Sequence, residues 1–360
     1  MSAASRPDAS LQSQVLNALR GIDPSPDAPA AEVEGALRHY ECGGYLHALW
    51  RRLGRRLPEP WAGAAAAIHR KTLVDSLSAI VQLREVERIL AAEGIEFVLL
   101  KGASYLADLY PDAGARPLVD VDLLVRPEKV ARLARRLVER GFQGAVGEHY
   151  PEDERFEMFR AGRDSNCRFE FHWRLGVEGR MRLDQEALWR GAVPIEVDGM
   201  PCLRLGIHEA IVYHAGHAAD HYFGPGLKWT IDLREMLRTW DPSPDRLARL
   251  AEDWGLKVAL HLAFVQLDRV FPGEAPPELL RATAPGAIRR LGLALTRSDE
   301  PAELFRGLRG IRGGHWLVRP LLIDAPGDAI RVSVHVLRRP LARAWRRLTG
   351  PVRAPWEAAA

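Results

Sequence analysis

The residues best suited to chemistry lie in one stretch. Phe97-Val-Leu-Leu100 runs into Lys101-Gly102-Ala103-Ser104, and Arg116-Pro-Leu-Val-Asp120-Val-Asp122-Leu-Leu-Val125 follows. Side chains on a strand alternate with a period of two, so Asp120 and Asp122 share one face while Val121, Leu123 and Val125 share the other. On a helix the two acids would diverge by about 200°. Two carboxylates held side by side are a seat for Mg²⁺, the usual companion of a triphosphate. Lys101 and Arg116 supply positive charge for phosphates, and Gly102 lets backbone N–H groups approach them. A third acid comes later. Phe169, Phe171 and Trp173 alternate with Arg168, Glu170 and His172, which puts Glu170 and His172 on one strand face.

These residues need a scaffold, and the hydrophobic pattern supplies one. Helical patterns cover Leu11–Leu19 and Val33–Leu57, on either side of a Pro-rich loop at 22–32. A long helix is expected from Ile68 to Ala92, with Leu73, Leu77, Ile80, Val81, Val86 and Leu90 near a 3.6-residue period. Ile95–Leu100 reads as a buried strand, Ala103–Leu109 as a helix and Leu118–Val125 as a second strand. Lys129–Arg140 is a helix opened by Pro127 and closed by Gly141. Phe156–Arg160 and Arg168–Trp173 form a strand pair, and Ile195–Leu203 a strand or hairpin around Gly199. From Gly206 the pattern is mainly helical. The expected class is α/β (α+β), a mixed sheet core at 68–205 between helical regions at 1–67 and 206–328, with a basic tail at 329–360.

Composition narrows the function. The 360 residues carry a formal net charge of +3, too small to argue for nucleic-acid binding by itself. Five of the 50 basic residues are lysine, so Lys101 stands out from a background of arginine. Cys42, Cys167 and Cys202 are widely spaced and form no CxxC pair, which indicates neither a disulfide framework nor a zinc site. No secretory leader and no apolar run of about 18 residues is visible, so a cytoplasmic protein is expected.

Lys-Gly, then Arg-x-x-x-Asp-x-Asp-Leu-Leu-Val, then an acidic strand residue before His-Trp: this order resembles the uncharacterised nucleotidyltransferase family within the DNA polymerase β-like superfamily. Toxin-type enzymes of that superfamily also carry Lys-Gly ahead of Arg and Asp-x-Asp. The resemblance covers about 70–205 and extends more weakly over His208–Leu237. It implies a minimal nucleotidyltransferase-like core. It also implies metal-binding, catalytic roles for Asp120, Asp122 and Glu170, and a phosphate turn at Gly102. Lys101 and Arg116 match the basic positions that accompany the motif. Ser104 stands one place late, because Ala103 occupies the position where the pattern has Gly or Ser. The third acid is Glu where Asp is commoner. The implied cofactor is Mg²⁺, two ions expected, with Mn²⁺ as an alternative. The implied reaction moves a nucleoside monophosphate from an NTP, such as ATP, to a hydroxyl or amine acceptor and releases pyrophosphate. The acceptor is a small molecule, a peptide or an RNA.

Each residue also has a plainer reading. Lys101 is a phosphate ligand or a solvated lysine at a strand end. Arg116 binds phosphate or forms a salt bridge to Asp120 or Asp122. Ser104 binds phosphate or caps its helix. His172 is a cleft residue or a hydrogen-bonded structural histidine. His214, His217 and His221 share one helical face, but the run lacks the Glu of HExxH, so a cleft-lining face is preferred to a metal site. Lys228 and Asp232 either line the same cleft or form an ordinary i,i+4 ion pair. The tail holds seven arginines and no acid between Ala329 and Trp356. Its apolar stripe through Val334, Leu337, Leu341, Trp345 and Leu348 either docks on the protein or meets RNA or an anionic surface. Two rival functions stand beside the enzyme: a toxin-like tRNA nucleotidyltransferase, and a non-catalytic nucleotide-binding or scaffold protein of a biosynthetic cluster.

Overall fold

Helices come first along the chain and continue after the sheet. In this computed structural model the described residues are 7–145, 155–160, 167–176, 181–224, 226–298, 304–305, 318–325 and 327. Helix α1 (Ala9–Leu19) is capped by Asp8, whose carboxylate accepts from the Leu11 N–H at 2.7 Å. The pattern over 33–57 resolves into two helices, α2 (Ala30–His39) and α3 (Gly43–Arg52). Between them Glu41 takes a left-handed φ of 51°. Gly44 then lies so close to the backbone that an added Cβ would meet the Gly114 carbonyl at 2.2 Å. This close approach needs a break that hydrophobic spacing does not report.

Helix α4 (Trp61–Ala92) is 32 residues long. It starts seven residues before the expected Ile68, because Ala62 to Ala67 favour helix without marking a face. Trp61 and Ala65 pack with α2 and α3, whereas Ala79, Leu83, Val86, Ile89 and Leu90 pack under the sheet. Of the apolar positions in its 3.6-residue pattern, Leu77 and Val81 are exposed, while the polar Ser76 and Gln82 are buried.

Seven strands follow: β1 (Phe97–Leu100), β2 (Asp120–Val125), β3 (Phe142–Ala145), β4 (Arg155–Arg160), β5 (Arg168–His172), β6 (Val193–Val197) and β7 (Met200–Arg204). Their order is β3-β4-β5-β2-β1-β7-β6. The sheet is mixed. β1 pairs antiparallel with β2 and parallel with β7, and β2 pairs parallel with β5. The expected β4/β5 pair and the hairpin around Gly199 are both present. β3 was not expected, since Phe-Gln-Gly-Ala is too short and mixed to mark a strand. Helices α5 (Lys101–Tyr105), α6 (Val130–Glu139) and α7 (Gln185–Arg190) lie between strands.

The sheet has two different faces. Leu99, Val121, Leu123, Val125, Phe169 and Phe171 close a core with α6 and the second half of α4. Val98, Leu100 and Leu124 point the other way, into a core shared with α1–α3 and the later helices. Those are α8 (Ile207–Asp220), α9 (Lys228–Trp240), α10 (Pro244–Trp254), α11 (Lys257–Val270), α12 (Pro277–Thr283) and α13 (Ala287–Thr296). The helical regions before and after the sheet therefore share one core. Asp120 and Asp122 have the parity of Leu124 and face this helical side. No helix among the described residues is long and apolar enough to cross a membrane. The basic tail at 329–360, with its apolar stripe, lies outside the described residues.

Candidate functional site

The site forms where the helical layer leaves the carboxylate face of the sheet partly open. In the parallel β2/β5 ladder Asp122 is opposite Glu170, and Leu124 is opposite His172. In β1/β2, Leu100 is opposite Asp122, so the chain leaves β1 beside that carboxylate. The next residue, Lys101, has a left-handed φ of 44°, an uncommon conformation for a residue with a Cβ. It turns the ammonium onto Asp122, with Lys101 Nζ 2.8 Å from Asp122 Oδ1. The Ser104 hydroxyl donates to the Lys101 carbonyl at 2.7 Å and holds the turn.

His172 meets the same oxygen of Asp122 through Nε2 at 2.9 Å, and lies 3.5 Å from Glu170 Oε2. Arg155 on β4 pairs with Glu170 Oε2 from the other side. Asp122, Glu170 and His172 bring one ligand atom each to within 4.8 Å of one another. In this trio His172 stands where Asp120 was expected beside Asp122 and Glu170. Asp120 lines the cleft and forms no ion pair among the described residues.

The local charges set the protonation. Burial pushes the Asp122 carboxyl up, but Lys101 and then His172 outweigh it and hold it well below the usual range. Burial also opposes charge on Glu170, which the hydrogen bond from His172 brings below its ordinary value. His172 is raised: burial works against it, and the bonds to Asp122 and Glu170 prevail. Asp120 is raised by burial and then by Asp122, with Lys101 in opposition. Asp120 is thus the acid whose charge is least compensated.

A cleft of about 320 Å³ opens over this group. Lys101, Gly102, Arg116, Asp120, Asp122 and Glu170 form its sheet side. His214, His217, His221, Lys228, Trp229 and Asp232 form its helical side. Ser104 is not in its wall, and Ala103 packs into the core beneath the sheet. The residue that departs from the glycine-turn pattern therefore faces away from the cleft.

Arg116 lines the cleft but is committed to a partner far along the chain. It donates through Nε to Asp232 Oδ1 at 2.7 Å and through Nη2 to Asp232 Oδ2 at 2.8 Å. Tyr110 donates to the same carboxylate. The alternative reading of Arg116, a salt bridge to Asp120 or Asp122, is not what forms; its partner is Asp232 in a bidentate pair. Gly102 is part of this arrangement, because an added Cβ would meet Arg116 Nη1 at 2.3 Å. Lys228 and Asp232 both line the cleft; the alternative i,i+4 pair between them does not form, and Lys228 lies 3.2 Å from Glu41 Oε1.

The α8 histidines are packed among neighbours. His214 Nδ1 lies 3.2 Å from the Tyr105 hydroxyl, and its Nε2 lies 2.9 Å from the Trp229 carbonyl. His217 stacks on Trp229 at 4.8 Å and 3°, with Nε2 3.4 Å from Lys101 Nζ. Burial, then Lys101, then His221 push His217 well below its ordinary value. Sequence reasoning missed Glu41, Tyr105, Tyr110, Arg155 and Trp229. Arg155 left a faint signal, as an arginine at the mouth of a strand expected to pair with β5. Glu41, in an interhelical turn, left none.

A sequence profile described as "Uncharacterised nucleotidyltransferase" matches residues 36–272. No curated protein matches the chain. Two structures of the antibiotic-resistance factor ANT(2'')-Ia resemble it in part. The solution structure has 11% identity, a TM-score of 0.36, and coverage of 49% of this chain and 91% of that one. The crystal structure with adenylyl-2''-tobramycin has 13%, 0.34, 49% and 95%. An antigenic nucleotidyltransferase-like protein from Paracoccidioides brasiliensis has 13% identity, a TM-score of 0.34, and coverage of 59% and 92%.

Proposed function

Since the chain belongs to the uncharacterised nucleotidyltransferase family, we propose that its cleft carries out Mg²⁺-dependent transfer of a nucleoside monophosphate. The donor is an NTP, the acceptor a hydroxyl or amine, and the leaving group pyrophosphate. The observation that carries this reading is the convergence of Asp120, Asp122 and Glu170 on one cleft that also holds Lys101 and Arg116.

The donor set fits Mg²⁺. All three acids offer hard oxygen ligands. Lys101 and His172 both engage Oδ1 of Asp122, while Arg155 and His172 engage Oε2 of Glu170. Each of these contacts falls on one oxygen of its carboxylate. Asp120 is also raised by burial and by Asp122, so it lacks a countercharge that a cation would supply. When bound, Mg²⁺ would neutralise triphosphate charge and hold the reacting oxygens in line.

The protein's own groups do the rest. His172 and Arg155 keep Glu170 ionised and oriented. Gly102 leaves room for the Arg116 guanidinium to lie against the turn after β1, where an added Cβ would meet Nη1 at 2.3 Å. Lys101 supplies a point charge for the phosphates. Arg116, locked by Asp232, offers its remaining N–H groups from a fixed guanidinium. The helical wall with Trp229, His221 and Lys228 is where the acceptor is selected.

Parallel incubations with α-labelled and γ-labelled NTP, Mg²⁺ and panels of small-molecule, peptide and RNA acceptors test this. The α label should enter an acceptor and the γ label should leave as pyrophosphate. Asp120→Asn should abolish both. Transfer that survives Asp120→Asn overturns the site assignment.

A further inference from the structure

Lys101 does something in this structure that a phosphate ligand does not need to do. Its ammonium is directed onto Asp122, and its side chain is only 10% exposed. Nζ sits between Asp122 Oδ1 at 2.8 Å and His217 Nε2 at 3.4 Å. The backbone conformation that sends it there is left-handed, a cost accepted where surrounding contacts fix it. Those contacts are visible: Ser104 grips the Lys101 carbonyl, and Trp229 stacks on His217 behind the ammonium.

From this we infer that Lys101 is the resident counter-ion of the carboxylate cluster, held in place until a divalent cation displaces it. The inference rests on the metal-site reading above. Asp122 is buried, and a buried carboxylate charge needs a partner. Lys101, 2.8 Å away, is such a partner. A divalent cation arriving at Asp122 meets a positive charge already bound there, so the two compete for one carboxylate. On displacement the ammonium stays tethered at the turn, beside Gly102 in the same cleft wall, where the phosphates of an incoming nucleotide would receive it. Metal entry and delivery of a cation to the nucleotide are then one exchange.

The test is Mn²⁺ binding without nucleotide, read from the spin-resonance signal of free Mn²⁺, for wild type, Lys101→Met and Lys101→Arg. Lys101→Met should bind Mn²⁺ at least about tenfold more tightly than wild type, because the competitor is gone. Lys101→Arg keeps the charge and should stay within about threefold of wild type. Thermal melts supply a second reading. Lys101→Met should melt earlier than wild type in chelator and gain more from added Mn²⁺. A Lys101→Met protein that binds Mn²⁺ no better than wild type overturns the assignment, as does one that stays unfolded with Mn²⁺ present. If wild type and both variants all leave Mn²⁺ free, the metal-site reading itself fails. If wild type binds and Lys101→Met binds no better, only the counter-ion role fails.

Discussion

Asp232→Ala isolates the buried pair that fixes Arg116. Asp232 is fully buried and Arg116 is 9% exposed. The substitution removes both oxygens of a bidentate pair made at 2.7 and 2.8 Å, and it also strips Tyr110 of its acceptor. What remains is a largely buried guanidinium with the Pro117 carbonyl 3.1 Å from Nη1 and the Tyr105 ring 5.5 Å from Cζ. Removing one partner of a buried pair costs about 3–5 kcal/mol, against about 5–15 kcal/mol for the stability of a typical domain. Urea unfolding at neutral pH should therefore show a large fall in midpoint. Replacing both partners together, with Arg116→Met and Asp232→Leu, leaves no orphaned charge and should recover most of the loss. The pH dependence has a definite sign. Burial pushes Asp232 up, but Arg116 prevails and its carboxyl is depressed. Its stabilising contribution is thus fully present above the ordinary aspartate value of about 3.9 and is lost as pH falls through the depressed value. The gap between wild type and Asp232→Ala should be constant near neutrality and close only in acid. A loss under about 1 kcal/mol, or a double variant as unstable as the sum of the singles, would refute this account of the pair.

Three further outcomes follow from the same geometry. Gly102→Ala should cost about 1–3 kcal/mol, because its methyl meets a guanidinium that Asp232 prevents from moving aside; a variant as stable as wild type would show that Arg116 is free to shift. His172 is raised by Asp122 and Glu170 after burial is overcome, so its contribution is complete below its ordinary value of about 6.5 and fades as pH rises through the raised one. The stability difference between wild type and His172→Gln should accordingly shrink as pH climbs, and a difference that grows would reverse the assignment. Phe171→Ala, in the core on the opposite face of β5, should cost about 3–5 kcal/mol; it lowers the melting temperature while Mn²⁺ binding to the folded fraction stays unchanged.

How much of this the sequence discloses depends on the range of each interaction. Asp120, Asp122, Glu170 and His172 were legible because strand alternation is local, and each pair lies within one strand. The Lys-Gly turn was legible for the same reason. The partner of Arg116 was not, since Asp232 lies 116 residues away on α9 and no local pattern marks it. The same holds for Lys101 and Asp122, whose pairing requires the β1/β2 register, and for Arg155, whose target depends on how β4 aligns with β5. Glu41 reaches Lys228 from a turn that the spacing had read as helix. The elements misjudged were those whose residues send weak signals: β3 with four mixed residues, and the alanine-rich start of α4. The buried side of α4 was partly misread because periodicity counts apolar residues, whereas Gln82 and Ser76 are buried in its middle.

The central claim is that Asp120, Asp122 and Glu170 together hold a divalent cation beside the nucleotide. Crystals grown with Mn²⁺ and a non-hydrolysable NTP analogue test it most directly through anomalous scattering. The account expects an anomalous peak bridging these three carboxylates, with the analogue's phosphates against it. A peak held instead by the α8 histidines, or ordered nucleotide in the cleft with no peak at the carboxylates, would contradict it.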